Sequence, residues 1–284
     1  MTIEDLLSSA SNQLRDQGYL HGEREAGFML GKILQKDSAW LNTHPEETIA
    51  PAVADQLQKM VNERLRGCPL GYILGEQPFM GLKLRSDKRG LIPRPETEFL
   101  VELSIKHIKE FGLQEKKFLE IGTGSGPIAI SLKKFFPTAA VTATDISDDA
   151  LELAEENATT HEVDVEFIES DLFTDVPKQK YDFIIANLPY VPTERLAFIT
   201  DQILDWEPMI AIEAGSDGLK YITPFIEQLG RHLSPTGLAA IEFWHTHGQP
   251  VKELAKKHLP NHELIVEKDL AGFDRYAFFL PLKV

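Results

Sequence analysis

Apolar residues recur at three- and four-residue spacing through the first 66 positions. Ile3, Leu6, Leu7, Ala10 and Leu14 place one stripe on a helix, and Thr2 with Asp5 reads as a capping box at its start. Ala26, Phe28, Met29, Leu30, Ile33 and Leu34 predict a second helix, and Ser38 predicts the cap of a short turn carrying Trp40 and Leu41. Val53, Leu57, Met60, Val61 and Leu65 predict a further helix that stops before Gly67. A small helical bundle over residues 1–66 is expected. From Gly67 to Pro95, glycines and prolines punctuate short apolar pieces such as Tyr72-Ile73-Leu74 and Leu82-Lys83-Leu84. That texture predicts a connector over 67–95 holding a β-hairpin rather than a helix.

Beyond this point the period alternates between two and three-and-a-half. Residues 118–121, 140–144, 165–168, 183–186 and 238–242 predict strands, with helical patterns at 148–158 and 219–233 between them. Strands alternating with helices imply a parallel sheet covered on both faces. The last two apolar runs, 263–266 and 276–280, are joined by the turn-rich stretch 269–274 and predict an antiparallel hairpin. The expected fold class is α/β: a Rossmann-like, seven-stranded domain over residues 96–284, preceded by the bundle and the connector.

Composition narrows the chemistry. Of 284 residues, 43% are hydrophobic and 26% charged, which is a globular balance. Lys and Arg number 29 against 44 Asp and Glu, a net charge of −15, and that works against non-specific polyanion binding. One cysteine, Cys68, excludes an internal disulfide framework and a Cys-based zinc site. The start is acidic at Glu4 and Asp5 and no apolar run approaches the ~18 residues of a membrane span. A cytoplasmic monomer without membrane or direct nucleic-acid contacts is expected.

Two short stretches carry the candidate chemistry. Glu120-Ile121-Gly122-Thr123-Gly124-Ser125-Gly126 follows a strand and opens a helix, where a backbone can approach a ligand closely. A dinucleotide fingerprint fails because Pro127 stands where its third glycine belongs, and a phosphate P-loop fails for want of a lysine. What remains resembles the S-adenosylmethionine loop of Rossmann-like methyltransferases. That resemblance implies cofactor contacts from Glu120, Gly122, Thr123, Gly124, Ser125 and Gly126, ribose contacts from Asp145, adenine contacts from Asp171 and Leu172, and a contact from Asn187 to the cofactor's methionine part. Asn187-Leu188-Pro189-Tyr190 closes the fourth strand of the sheet, on the edge where open sheets hold ligands. The side-chain oxygen of Asn187 can accept from a planar amide or amine nitrogen and aim its lone pair at a methyl group. Pro189 stiffens the turn, and Tyr190 offers a flat face. Asn187, Pro189 and Tyr190 are the candidate catalytic residues.

Taken with these stretches, the chain resembles the release factor glutamine methyltransferases (protein N5-glutamine methyltransferases). Arg66-Gly67-Cys68-Pro69, Tyr72-Ile73-Leu74-Gly75, Phe79 and Gly81 fit that family's connector. Leu91-Ile92-Pro93-Arg94-Pro95-Glu96-Thr97-Glu98 fits its most distinctive signature, and Glu207-Pro208, Gly215-x-Asp217-Gly218-Leu219 and Asp269-x-x-Gly272-x-Asp274-Arg275 fit later elements. The resemblance implies methyl transfer from S-adenosyl-L-methionine, leaving S-adenosyl-L-homocysteine, to the glutamine of the Gly-Gly-Gln motif in class one peptide chain release factors. It also implies a helical domain that holds the protein substrate. Asn187, Leu188, Pro189 and Tyr190 would face the acceptor, Arg94 and Glu96 would lie beside it, and no metal is expected.

The chain departs from the family in two places. Leu188 replaces a proline, a spelling familiar from ribosomal RNA adenine dimethyltransferases, and Glu242 to Gln249 rearranges the family's Glu-x-Gly-x-x-Gln. N6-adenine methylation is therefore the alternative activity, against which residues 1–85 carry nine basic and eleven acidic side chains. A non-catalytic adaptor is a third possibility, opposed by the intact Gly122, Gly124, Gly126, Asp145, Asn187 and Tyr190. His245 and His247 are expected as neutral imidazoles on an exposed loop.

Overall fold

The computed structural model describes residues 1–199 and 204–282. Two compact units organise the chain, the first over Met1–Glu76 and the second over Gln77–Ile199 with Glu207 onward. Their division falls inside the stretch expected as a connector.

The first unit holds α1 (Ile3–Asp16), α2 (Gly22–Leu34), α3 (Ser38–Thr43), α4 (Pro51–Leu65) and α5 (Leu70–Leu74). The capping box forms, with Asp5 N donating to Thr2 Oγ1 and Thr2 N donating to Asp5 Oδ2. Ile3, Leu14, Met29, Leu30 and Val61 are fully buried and make the centre of its core. Two expectations need correction. The cap of α3 is Asp37, whose carboxylate accepts from Trp40 N at 2.7 Å, and Ser38 is the first helical residue. Tyr72-Ile73-Leu74 is helical rather than part of a hairpin connector: Pro69 stands at the entry of α5 and Gly75, at φ 67°, closes it. Proline before the first turn and glycine after the last bound a helix as readily as they break one.

The second unit opens with the hairpin β1 (Glu76–Phe79) and β2 (Leu82–Arg85), followed by α6 (Pro95–Glu110). Next come β3 (Lys117–Ile121), α7 (Pro127–Phe135), β4 (Ala140–Asp145), α8 (Asp148–Thr160), β5 (Glu166–Glu169) and β6 (Tyr181–Ala186). After these lie α9 (Ile222–His232), β7 (Leu233–Glu242), α10 (Gly248–His258), β8 (His262–Lys268) and β9 (Asp274–Pro281). The seven-stranded sheet has the order β5-β4-β3-β6-β7-β9-β8. Neighbours from β5 to β7 are parallel, and β9 runs antiparallel to both β7 and β8. The α/β, Rossmann-like architecture and its terminal hairpin match the sequence expectation. Helix α10 does not figure in it, because Val251 and Ala255 are its only buried side-chain-bearing positions among lysines and polar residues.

Successive strand residues point to opposite faces, and here each face has its own core. Phe118, Phe183 and Phe278 pack with Leu100, Val101 and Ile108 of α6, while Leu119, Ile184 and Phe279 pack with Phe225 and Leu229 of α9. A sheet buried on both faces needs near-continuous apolar strands, as Phe183-Ile184-Ile185-Ala186 supplies. Among the described residues no helix is long and apolar enough to cross a membrane.

Candidate active site

The parallel register sets the site. Ile121 pairs with Thr144 on one side and Ala186 on the other, so the segments after β3, β4 and β6 leave the same edge together. Gly122 N and Thr123 N each donate to Thr144 O at 2.8 Å, and Gly124 N donates to Asp145 Oδ2 at 2.8 Å. The loop is thereby pinned across to β4. Gly126, at φ 84°, caps α7, and a Cβ there would stand 2.8 Å from Ile130 Cδ1 and 3.2 Å from Ala154 Cβ. Only glycine lets α7 start this close to α8. Asn157 of α8 holds the loop from behind, donating to Ser125 O at 2.9 Å while it also bonds the backbone of Arg85.

An open cleft lies over this edge. Arg94, Glu120, Gly122, Thr123, Gly124, Ser125, Asp145, Asp171, Leu172, Asn187, Leu188 and Pro189 line it. Three of the residues singled out from sequence are placed elsewhere. Gly126 sits behind the loop, Glu96 is exposed on the first turn of α6, and Tyr190 packs its ring against Trp244 at 6.1 Å.

The cleft holds two acidic side chains whose ionisation burial opposes, Glu120 and Asp145. Glu120 is buried, and its Oε2 accepts from Thr123 Oγ1 at 2.7 Å and from Ala129 N at 2.8 Å. Its Oε1 is buried with no hydrogen-bond partner among the described residues. Burial pushes this carboxyl up to about 8, against the pull of its two donors. Asp145 is also raised by burial, opposed by the backbone N–H groups of Gly124, Ser147 and Ile146. Two carboxylates of one cleft that resist ionisation are suited to a ligand bringing a cation and hydroxyl groups.

From the cleft wall a chain of polar groups runs inward to a buried carboxyl, that of Glu242. Asn187 Nδ2 donates to Thr97 Oγ1 at 2.9 Å, Thr97 Oγ1 donates to Glu242 Oε2 at 3.0 Å, and Tyr190 Oη donates to Glu242 Oε1 at 2.9 Å. At the cleft wall, Glu207 accepts from Ile92 N at 3.0 Å and from Arg94 Nη2 at 2.5 Å. Thr97, Glu207 and Glu242 were not singled out as site residues from sequence. The available signal was a carboxylate at the end of the apolar run Ala239-Ala240-Ile241-Glu242, since a buried acid must find donors. His247 corrects the exposed-loop expectation: it is 4% exposed at the start of α10, and burial lowers its pKa, whereas His245 is exposed. Among the described residues no group of three or more His, Cys, Asp or Glu is placed to hold a metal ion.

Known proteins share both parts of this chain. Residues 96–205 match the methyltransferase small domain, and residues 5–75 match the PrmC N-terminal domain. The release factor glutamine methyltransferase of Deinococcus radiodurans is 32% identical over 277 residues, covering 98% of each chain. That of Streptococcus pneumoniae is 41% identical over 207 residues, covering 73% of each. The chain belongs to the release factor glutamine methyltransferase family. Similarity extends to the bifunctional methyltransferase of Rickettsia conorii, 32% identical over 100% of this chain, which spans 58% of that relative's length. A solved methyltransferase from Pyrococcus furiosus, 21% identical with a TM-score of 0.53, covers 72% of this chain and 90% of its own, and shares the fold.

In this family member the Arg94–Glu207 pair anchors the cleft wall, with side-chain exposures of 33% and 1%. Removing Arg94 strands a buried carboxylate on one backbone donor. Arg94→Ala is expected to cost about 2–3 kcal/mol, below the 3–5 typical of a fully buried pair because Arg94 stays partly in water. Adding Glu207→Gln should recover part of that loss. Urea unfolding of the single and double variants measures it, and a double variant less stable than Arg94→Ala would contradict the account.

Proposed function

We propose that this protein transfers a methyl group from S-adenosylmethionine to the side-chain amide nitrogen (N5) of the glutamine in the Gly-Gly-Gln motif of class one release factors. The observation that carries this reading is the family match across 98% of the chain combined with Asn187 standing in the cleft beside the glycine loop. N6-adenine methylation rests on the Asn-Leu-Pro-Tyr spelling alone, and the net charge of −15 works against it.

The cleft's own groups fit the cofactor. The unpartnered Glu120 Oε1 suits a cationic amine, the Asp145 carboxylate suits a ribose diol, and Asp171 with Leu172 borders the place for the adenine. When bound, S-adenosylmethionine supplies a methyl group on positively charged sulfur, an electrophile strong enough that no metal enters this reading. The acceptor is the harder partner, because an amide lone pair is delocalised into its carbonyl. Asn187 Oδ1 accepts from the acceptor's N–H, and as that nitrogen leaves planarity the hydrogen bond strengthens. Such a contact lowers the barrier more than it improves ground-state binding. Pro189 and Leu188 hold the turn that carries Asn187, with Leu188 buried against Gly122. Residues 1–66 serve to hold the release factor in this reading, supported by their match to the PrmC N-terminal domain. The cytoplasm, where release factors work, is the site of action.

The direct test incubates the enzyme with labelled cofactor and a release factor, beside the same factor carrying Glu in place of the Gly-Gly-Gln glutamine. One methyl on that glutamine and none on the altered factor is expected; transfer to RNA adenine alone would overturn the reading. A second measurement addresses Asp145. Hydrogen bonds to a charged group contribute about 1.5–3 kcal/mol, so Asp145→Ala should weaken S-adenosylmethionine binding at least about tenfold by calorimetry. Unchanged affinity would place the ribose elsewhere.

A further inference from the structure

We propose that Thr97 and Glu242 are positioning residues that fix which end of the Asn187 amide faces the acceptor. The inference rests on the methyl-transfer reading above for its consequence, but its premise lies in the hydrogen bonds themselves. A threonine hydroxyl has one proton and two lone pairs. Thr97 Oγ1 lies 3.0 Å from Glu242 Oε2 and 2.9 Å from Asn187 Nδ2, and Thr97 is 3% exposed. An ionised Glu242 only accepts, so Tyr190 Oη must give its proton to Oε1 and Thr97 must give its proton to Oε2. Thr97 is left able only to accept. The end of Asn187 that meets it must then be the NH2 group, and Oδ1 is the end that remains for the acceptor. The reversed amide would set two acceptors 2.9 Å apart at Thr97 and turn N–H groups toward the N–H of the acceptor.

Protonation of Glu242 undoes this selection. A carboxylic acid must donate through one of its oxygens, so either Tyr190 or Thr97 loses its acceptor. On the Thr97 side the released hydroxyl proton swings toward Asn187 and favours the inverted amide. The groups facing Glu242 are Tyr190 on the Asn187–Tyr190 turn, Glu96 and Thr97 on α6, and Arg275 and Tyr276 on β9. Arg275 is itself paired to Asp269 at 3.1 Å. Burial drives the Glu242 carboxyl up to about 7, against the Tyr190 and Thr97 hydrogen bonds and the Arg275 charge. The productive orientation therefore belongs to the ionised form, and turnover should fall as pH drops through about 7.

Thr97→Val replaces the hydroxyl with a methyl of similar size, and Thr97→Ser keeps it. Methyl transfer is measured at saturating release factor and cofactor between about pH 5.5 and 8.5. The wild type is expected to show an acid limb near pH 7. Thr97→Ser restores that limb, whereas Thr97→Val turns over about tenfold or more slowly, independent of pH, with KM nearly unchanged. A second readout needs no acceptor: in the S-adenosylhomocysteine-bound enzyme, the Asn187 side-chain NH2 signals in a ¹⁵N–¹H spectrum should move with the same midpoint and lose that dependence in Thr97→Val. Wild-type rate and acid limb in Thr97→Val, or NH2 signals indifferent to both pH and the substitution, would overturn the proposal. Failure of the wild type to methylate the release factor would refute the substrate reading alone, and the NH2 signals would still decide the orientation.

Discussion

Strand β3 is hydrogen-bonded on both sides, and its last residue faces Thr144 of β4 and Ala186 of β6 in register. Parallel neighbours run in the same direction, so the three segments that follow β3, β4 and β6 leave the sheet at one edge. Those segments are the glycine loop, Asp145 with its turn, and Asn187 to Tyr190. The site's geometry is thus a consequence of strand pairing. The loop has no freedom to drift, since Gly122 and Thr123 use the same Thr144 carbonyl and Gly124 uses the Asp145 carboxylate. A cofactor that takes hold of Asp145 must compete with or extend that last hydrogen bond, which couples ligand binding to the loop.

The run Arg94-Pro95-Glu96-Thr97-Glu98 gives the edge its wall. Arg94 bonds Glu207, Thr97 bonds Glu242, and Glu98 Oε1 accepts from Met80 N in the turn between β1 and β2. Three polar side chains within five residues thereby reach three distant parts of the unit. Pro95 starts α6 with its φ already helical, so the side chains that follow leave the first turn in fixed directions. Buried acids at Glu207 and Glu242 make the first two of these ties costly to break, because the partner removed leaves an unsatisfied acid behind. An acidic chain uses its carboxylates in two ways here, most on the surface and a few as buried anchors around the cleft.

Local signals were readable where one residue type has one physical use. The strand–loop–helix with Gly122, Gly124 and Gly126, the acid ending β4 and the terminal hairpin all follow from period and spacing. The bundle was readable as well, because Ile3 to Leu14 and Val53 to Leu65 carry clear apolar stripes. Tyr72-Ile73-Leu74 was not, since proline and glycine serve equally as breakers and as helix bounds. Asp37 and Ser38 are both good caps, and only geometry chooses between them. The ties of Thr97, Glu207 and Glu242 were not legible for a different reason: their partners lie 90, 115 and 145 residues away along the chain, and no local pattern encodes such pairings. The burial of His247 depends likewise on the glycine at 218, which leaves room for its ring.

In the proposed arrangement the buried Thr97 hydroxyl and Glu242 carboxylate turn the Asn187 oxygen toward an amide nitrogen at the edge of the cleft. A crystal structure with S-adenosylhomocysteine and a peptide containing Gly-Gly-Gln tests it most directly. The account predicts the glutamine amide nitrogen about 3 Å from Asn187 Oδ1, with Nδ2 still on Thr97. A glutamine held out of reach of Asn187, or an Asn187 whose oxygen faces Thr97 while Glu242 is ionised, would contradict it.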